Sequence, residues 1–161
     1  MHIYISKRRK TECLRQALMV ELFRRHTTAE SFVDYALKFD RSTKRAEAVA
    51  DFLINYINNP DHSLRRREIA LSSLGIIGNK VSKEYASSYV FPALIGSLVY
   101  GDAPAESEAA NSLLRMRGRI GPRRIRMLVV PALKKVKSNS NHAYGNVKRD
   151  MQWALKGICE S

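Results

Sequence analysis

A segment that recurs after about 40 residues constrains the fold of this chain more than any other feature. Residues 68–78 (EIALSSLGIIG) share Glu, Ala, Ser, Leu and Gly with residues 108–118 (EAANSLLRMRG), at an offset of 40. Residues 90–98 (VFPALIGSL) and 129–137 (VVPALKKVK) share Val-x-Pro-Ala-Leu, at an offset of 39. A period near 40 with two helices per unit is typical of helical-repeat arrays. Stacked units of such an array bury the apolar faces that one helix pair alone leaves exposed.

Apolar residues recur at helical spacing along nearly the whole chain, and no stretch alternates as a β-strand does. They form eight stripes, which run over 13–22, 29–37, 46–57, 69–77, 86–98, 110–114, 125–136 and 147–158. The stripes include Leu18, Tyr89 and Leu128, so we expect those side chains to face the core. The connections between stripes are short, which favours antiparallel neighbours. We therefore predict an all-α solenoid of six to eight helices in antiparallel pairs.

Several local signals add detail to this prediction. The Thr27-x-x-Glu30 pattern predicts the start of a helix, and Ser82 predicts another. Gly75 and Gly78 close a helical segment, so we interpret both as capping glycines. Leu74, Leu114 and Leu155 occupy equivalent repeat positions and should be buried.

Two features of the repeat resemble the HEAT-repeat family over about residues 46–159. One is a proline inside the first helix of a pair, at Pro92 and Pro131, and the other is a second helix ending in Ala-x-x-x-Leu-Gly-x-Ile or Ala-Leu-x-x-Ile. The resemblance implies a divergent HEAT-like array. It also implies an ion pair between an Asp in the turn within a pair and an Arg at the start of the second helix, for which Asp61 and Arg67 stand in the matching places. The pattern is partial, because Ser107 replaces that Arg in the next repeat.

The 161 residues predict one domain, with residues 1–40 as an N-terminal helical cap and residues 41–161 as about three helix pairs. The two cysteines, Cys13 and Cys159, are too few for a disulfide framework, which favours a reducing compartment. The start MHIYISKRRK is charged too early for a secretory signal. The longest uncharged window has 17 residues and contains Pro92, so it is too short for a membrane span. We expect a cytoplasmic protein.

The chain is strongly basic, with 28 Lys and Arg against 15 Asp and Glu, a net charge of +13. Residues 109–149 contain no acidic residue and eleven basic ones, and smaller basic clusters lie at 7–10 and 65–67. Such a charge is suited to nucleic acid, to an acidic protein or to an anionic membrane surface.

Clustered cations without acidic neighbours favour binding to phosphates, because neutralising several phosphates releases counterions. Several of the clustered cations open predicted helices one or two repeats apart, where a solenoid would align them. No aromatic array interleaves the basic runs, so we expect phosphate contacts with little reading of bases. The candidate nucleic-acid-binding residues are Arg65, Arg66, Arg115, Arg117, Arg119, Arg123, Arg124, Arg126, Lys148 and Arg149.

Three alternatives stay open at this point. The basic surface can meet an acidic protein, as in an interaction adaptor, or it can simply keep the outer helix faces solvated. The resemblance also implies a more distant alternative, a HEAT-like DNA glycosylase, for which Trp153 and Asp150 are the residues to consider. The four histidines lack ligand spacing and no phosphate-binding glycine loop is present, so we expect a non-enzymatic module without metal or cofactor.

Overall fold

The computed structural model describes residues 7–139 and Lys156, and residues 7–139 form helices joined by short turns. The prediction of an all-α fold is confirmed, with no strand in this described part. The predicted stripe 147–158, with Leu155, Lys148, Arg149, Asp150 and Trp153, lies outside it. The helices are α1 Lys7–Arg25, α2 Ala29–Ala36, α3 Thr43–Ile57, α4 Leu64–Ile77, α5 Lys83–Tyr85 continuing through Ala86–Val90 and Phe91–Tyr100, α6 Ala103–Arg115, α7 Arg117–Ile120, and α8 Pro122–Arg124 continuing through Ile125–Val129 and Val130–Asn139.

Short polar side chains fix where four of the helices begin. The N-cap side chains of Thr28, Ser42, Ser82 and Asp102 each accept a hydrogen bond at 3.1–3.2 Å from the backbone N–H three residues later. Such a bond satisfies one of the N–H groups that the first helical turn leaves without a partner. The prediction of Ser82 as a cap is confirmed, whereas α2 is capped by Thr28 and not by Thr27.

Helices α2, α4 and α6 pack side by side, while α3 covers α4, and α5 covers α6 and contacts α8. Helices α4 and α6 run parallel and level with each other. Near their starts, Arg67 of α4 contacts Asp102, the N-cap of α6. Near their ends, Asn79 donates to the carbonyl of Arg115 at 3.3 Å. The two copies of the sequence repeat therefore lie next to each other in the same orientation.

A glycine permits the close approach of α4 and α6. A Cβ atom on Gly75 would lie 2.6 Å from the Oγ and 2.9 Å from the Cα of Ser112, which no real contact tolerates. Ser112 is fully buried there, and its hydroxyl donates to the carbonyl of Leu71 at 2.9 Å. The interpretation of Gly75 as a capping residue is wrong, because the residue is required inside the helix by its neighbour. Leu74 and Leu114 are buried beside this crossing, as predicted.

The two helices that contain an internal proline, α5 with Pro92 and α8 with Pro131, each have a π-helical turn directly before that proline. The N–H of Phe91 bonds to the carbonyl of Ala86, and that of Val130 bonds to Ile125, five residues back in each case. A proline inside a helix lacks an N–H and crowds the carbonyl four residues earlier, and a wider turn relieves that crowding.

These π turns overturn two burial predictions at equivalent positions. Tyr89 and Leu128 are 57% and 50% exposed, although both belong to predicted apolar stripes. The wider π turn changes which side chains return to the same face of the helix. The side chain three residues after the start of each turn, Tyr89 or Leu128, therefore rotates away from the core.

An aromatic cluster fills the core at the N-terminal end. The ring of Phe23 lies 4.8 Å from those of Phe32 and Tyr56 and 5.9 Å from that of Phe52, in edge-to-face arrangements. This cluster sets the buried face of α1. Leu18, predicted to face the core, is 69% exposed on another face of the helix.

Candidate nucleic-acid interface

The described helices end at two edges of the molecule. The front edge is where α4 and α6 begin, and it includes the turns at 58–63 and 101–102. The back edge is where α2, α4 and α6 end, and it includes the turns at 37–42, 78–82 and 116–121. The 14 residues of α4 separate the edges by about 20 Å. The candidate arginines are divided between these edges, so the structure does not bring them together on one surface.

At the front edge, Arg66 holds the end of α1. Its Nη1 donates to the carbonyls of Phe23 at 3.1 Å and His26 at 2.8 Å. Its Nη2 donates to the carbonyl of Arg24 at 2.8 Å. The last carbonyls of a helix lack partners within the helix, and a cation satisfies them well. Arg66 is therefore committed to the fold through these three bonds, and its contact with phosphates stays a prediction.

Arg67 forms an ion pair, but with a partner other than the predicted one. Its Nη2 lies 3.1 Å from Oδ2 of Asp102, the N-cap of α6, whereas Asp61 is exposed. Because α4 and α6 begin level with each other, the N-cap of α6 reaches Arg67. Asp102 thus uses one oxygen to cap α6 and the other to join two repeats.

At the back edge, three arginines connect successive repeats. Arg115 donates to the hydroxyl of Ser72 at 2.8 Å. Arg119 donates to the carbonyl of Val81, and Arg124 donates to the hydroxyl of Ser87. Arg119 is also half-buried, and its Nε has no hydrogen-bond partner within the described residues. The contact of Arg119 joins the segment 116–121 to the turn 78–82, while those of Arg115 and Arg124 join α6 to α4 and α8 to α5.

Other candidates are exposed. Arg123 and Arg126 at the start of α8 are exposed and make no hydrogen bond or ion pair with any residue that the structure describes. Arg117 is exposed on the same edge, and Arg65 is exposed at the front edge. Lys148 and Arg149 fall outside the described residues. The back edge therefore holds the largest group of candidate cations.

The structure adds cations to the back edge that the sequence analysis did not select. Lys38, Arg41 and Lys80 line one cleft, which extends along α2 from His26 at the front edge to the turn after α4 at the back edge. Arg41, Lys80 and Arg119 are separated by 39 residues in each step. A search for cations recurring at the repeat interval, and not for dense runs, would have found them.

The face of the α2, α4 and α6 layer has the opposite charge. Glu30, Glu68 and Glu108 lie on successive helices of this layer, close enough to influence one another. Burial raises the pKa of Glu108, and the charges of Glu68 and Glu30 add to that effect, while Ser72 and Arg115 oppose it. This row of carboxylates repels phosphates, so the layer face is less suited to nucleic acid than the back edge is.

No group of three or more potential metal ligands occurs among the described residues. None of the helices formed by residues 7–139 is both long and apolar enough to cross a membrane.

The chain gave no match in comparisons with models of protein families, with curated proteins and with solved structures. Function must therefore be argued from the side chains themselves.

Proposed function

We propose that this chain is a short HEAT-like solenoid that binds nucleic-acid phosphates along its back edge and has no catalytic role. The observation that carries the proposal is the exposed arginine pair at the start of α8, Arg123 and Arg126, which has no partner among the described residues. The net charge of +13 and the acid-free stretch 109–149 support it.

The solenoid part of the proposal is supported by the packing. Helices related by the repeat lie beside each other, α4 against α6 and α5 against α8. The π turns before Pro92 and Pro131 add a second shared feature. In such an array each unit repeats its turns at one edge, so cations at equivalent turn positions form a line.

The spacing of that line suits a phosphate backbone. Packed helices lie about 8–10 Å apart, so the three turns of the back edge extend over about 20 Å. Arg119 ties the segment 116–121 to the turn 78–82, and Arg115 and Arg124 tie α6 and α8 to neighbouring helices. A rigid surface has little ordering entropy to lose on binding, which favours affinity.

An acidic protein partner is the second candidate. Met127 and Leu128 are 62% and 50% exposed next to the arginines of α8. Apolar side chains flanked by cations fit an amphipathic acidic segment better than they fit phosphates. Removing the arginines at the start of α8 would have different consequences for a nucleic-acid ligand and for an acidic protein partner.

The test is an Arg123→Ala/Arg126→Ala variant, titrated with duplex DNA, single-stranded DNA and RNA at about 50 and about 200 mM salt. Removing one phosphate-binding cation should lower the slope of log affinity against log salt by roughly one unit, for all sequences alike. The matched control is Arg24→Ala/Arg65→Ala, which removes the same charge from exposed positions at the front edge.

We expect the control to keep the slope of the unmodified chain. A chain that binds none of these ligands at low salt would exclude the nucleic-acid proposal and leave the acidic-protein adaptor. An equal decrease of slope in the two variants would show that binding is not confined to the back edge, and an unchanged slope in the Arg123→Ala/Arg126→Ala variant would place the site elsewhere.

A further inference from the structure

We infer that the cleft along α2, which reaches the back edge at Lys38, Arg41 and Lys80, binds an unpaired nucleobase together with its adjoining phosphate, in a single strand. This inference rests on the proposed function and extends it to a ligand class. The cleft has a volume of about 790 Å³ and is lined by His26, Ser31, Asp34, Tyr35, Leu37, Lys38, Arg41 and Lys80. That volume lies in the range of roughly 300–1,000 Å³ that small-ligand sites occupy.

The cleft offers an aromatic surface on which a base can stack. Tyr35 lines it and is 48% exposed, and Phe39, in the turn that follows α2, is 86% exposed. The Nζ of Lys38 lies 5.9 Å from the centre of the Tyr35 ring and 5.4 Å from that of Phe39. These rings differ from those around Phe23, which are buried in the core.

The same cleft has a positive balance of charge. Lys38, Arg41 and Lys80 line it, against one carboxylate, that of Asp34. His26 and Ser31 form a hydrogen bond with each other at its wall. Cations beside an exposed ring provide the two contacts that a nucleotide requires, one for the phosphate and one for the base.

The combination selects an unpaired base. In a duplex both faces of a base are covered by its neighbours, so a protein ring can stack on it only after the base has left the helix. A single strand exposes its base faces without that cost, and stacking on aromatic side chains tolerates every base. From this cleft the strand would continue past Lys80 along the back edge, towards the exposed arginines at the start of α8.

The experiment compares two fluorescein-labelled single-stranded oligonucleotides of equal length, one with bases and one fully abasic. Both carry the same phosphates, so the difference in affinity measures the contribution of the bases. We expect the chain to prefer the base-bearing strand by about tenfold, and a Tyr35→Leu/Phe39→Leu variant to bind both strands equally. Tyr35→Phe keeps the ring and should keep the preference.

Tyr100→Leu is the matched control, because Tyr100 is 87% exposed at the far end of α5. Circular dichroism and the thermal midpoint establish that each variant is folded. If the double variant does not fold, the comparison of the Tyr35→Phe chain with a single Tyr35→Leu chain takes its place, because Tyr35 lines the cleft.

The outcomes separate this inference from the proposed function. Equal affinity of the unmodified chain for both strands would overturn the base site. It would leave the proposed binding of phosphates along the back edge unaffected. Failure to bind either strand would exclude both proposals. Full competition by adenosine monophosphate at the concentration of the strand would assign the cleft to free nucleotides and overturn the single-strand assignment.

Discussion

Two pairs of arginines, one at the start of α4 and one at the start of α8, differ in what they contact. At the front edge, Arg66 and Arg67 are bound to carbonyls and a carboxylate of neighbouring elements. At the back edge, Arg123 and Arg126 are exposed at the start of α8 without such partners among the described residues. The contrast teaches that basic character alone does not mark a binding surface.

The difference has a simple cause in helix direction. The front edge brings the carbonyl end of α1 and the N-cap carboxylate of α6 to the start of α4. A guanidinium has five donors and no acceptor, so it is satisfied where carbonyls and carboxylates converge. The first turn of α8 presents N–H donors and no acceptor to Arg123 and Arg126, whereas Arg124 reaches the hydroxyl of Ser87 in α5.

The largest expected effect concerns the close contact between α4 and α6, which fixes the positions of the two edges. Gly75→Ala should lower the free energy of unfolding by about 2 kcal/mol, since the new methyl group overlaps Ser112. The same substitution at Gly96, where a Cβ meets no atom within 4 Å, should raise it by up to about 1 kcal/mol. Urea unfolding measures both changes. Equal effects at the two glycines would show that α4 and α6 are not in close contact.

The second expected effect tests whether the front-edge arginine is structural. Arg66→Ala should lower the free energy of unfolding by about 1.5 kcal/mol, because the last carbonyls of α1 lose their donors. Arg65→Ala, one residue away and exposed, should change it by less than about 0.5 kcal/mol. The denaturant midpoint distinguishes them, and a reversed order would contradict the comparison of the edges.

The smallest expected effect is the coupling between Arg67 and Asp102. Asp102→Ser keeps a side chain that caps α6 and removes the ion pair. A double-mutant cycle with Arg67→Ala should give a coupling of about 1 kcal/mol, since the pair is only partly exposed. The equivalent cycle with Asp61→Ala should give none. A coupling of similar size to Asp61 would restore the partner that the family resemblance implies.

Much of the fold was accessible from periodicity. The all-α class and the burial of Leu74 and Leu114 follow from apolar spacing, which reports local helix and its buried face. The burial predictions for Tyr89 and Leu128 are wrong because the spacing assumes 3.6 residues per turn everywhere. The predicted partner of Arg67 is wrong because sequence distance favours Asp61, whereas packing brings the next repeat closer.

The candidate site was only partly accessible. Dense runs of arginine drew attention to residues 115–126, and the back edge does contain them. The same criterion passed over Lys38, Arg41 and Lys80, which come from two turns about 40 residues apart and line one cleft. It also selected Arg66, whose role depends on the end of α1, an element 40 residues earlier. Which cation has an acceptor nearby is a property of tertiary structure.

The π turns before Pro92 and Pro131 have a consequence for how such a chain can change over evolutionary time. Each turn accommodates its proline by a departure from regular α-helical phase. Removing one residue from 86–90 would rotate the rest of that helix about its own axis by about 100°. The deletion would be tolerated only together with replacement of the proline. The extra residue of the π turn and the proline that follows it should therefore be present together or absent together in related sequences.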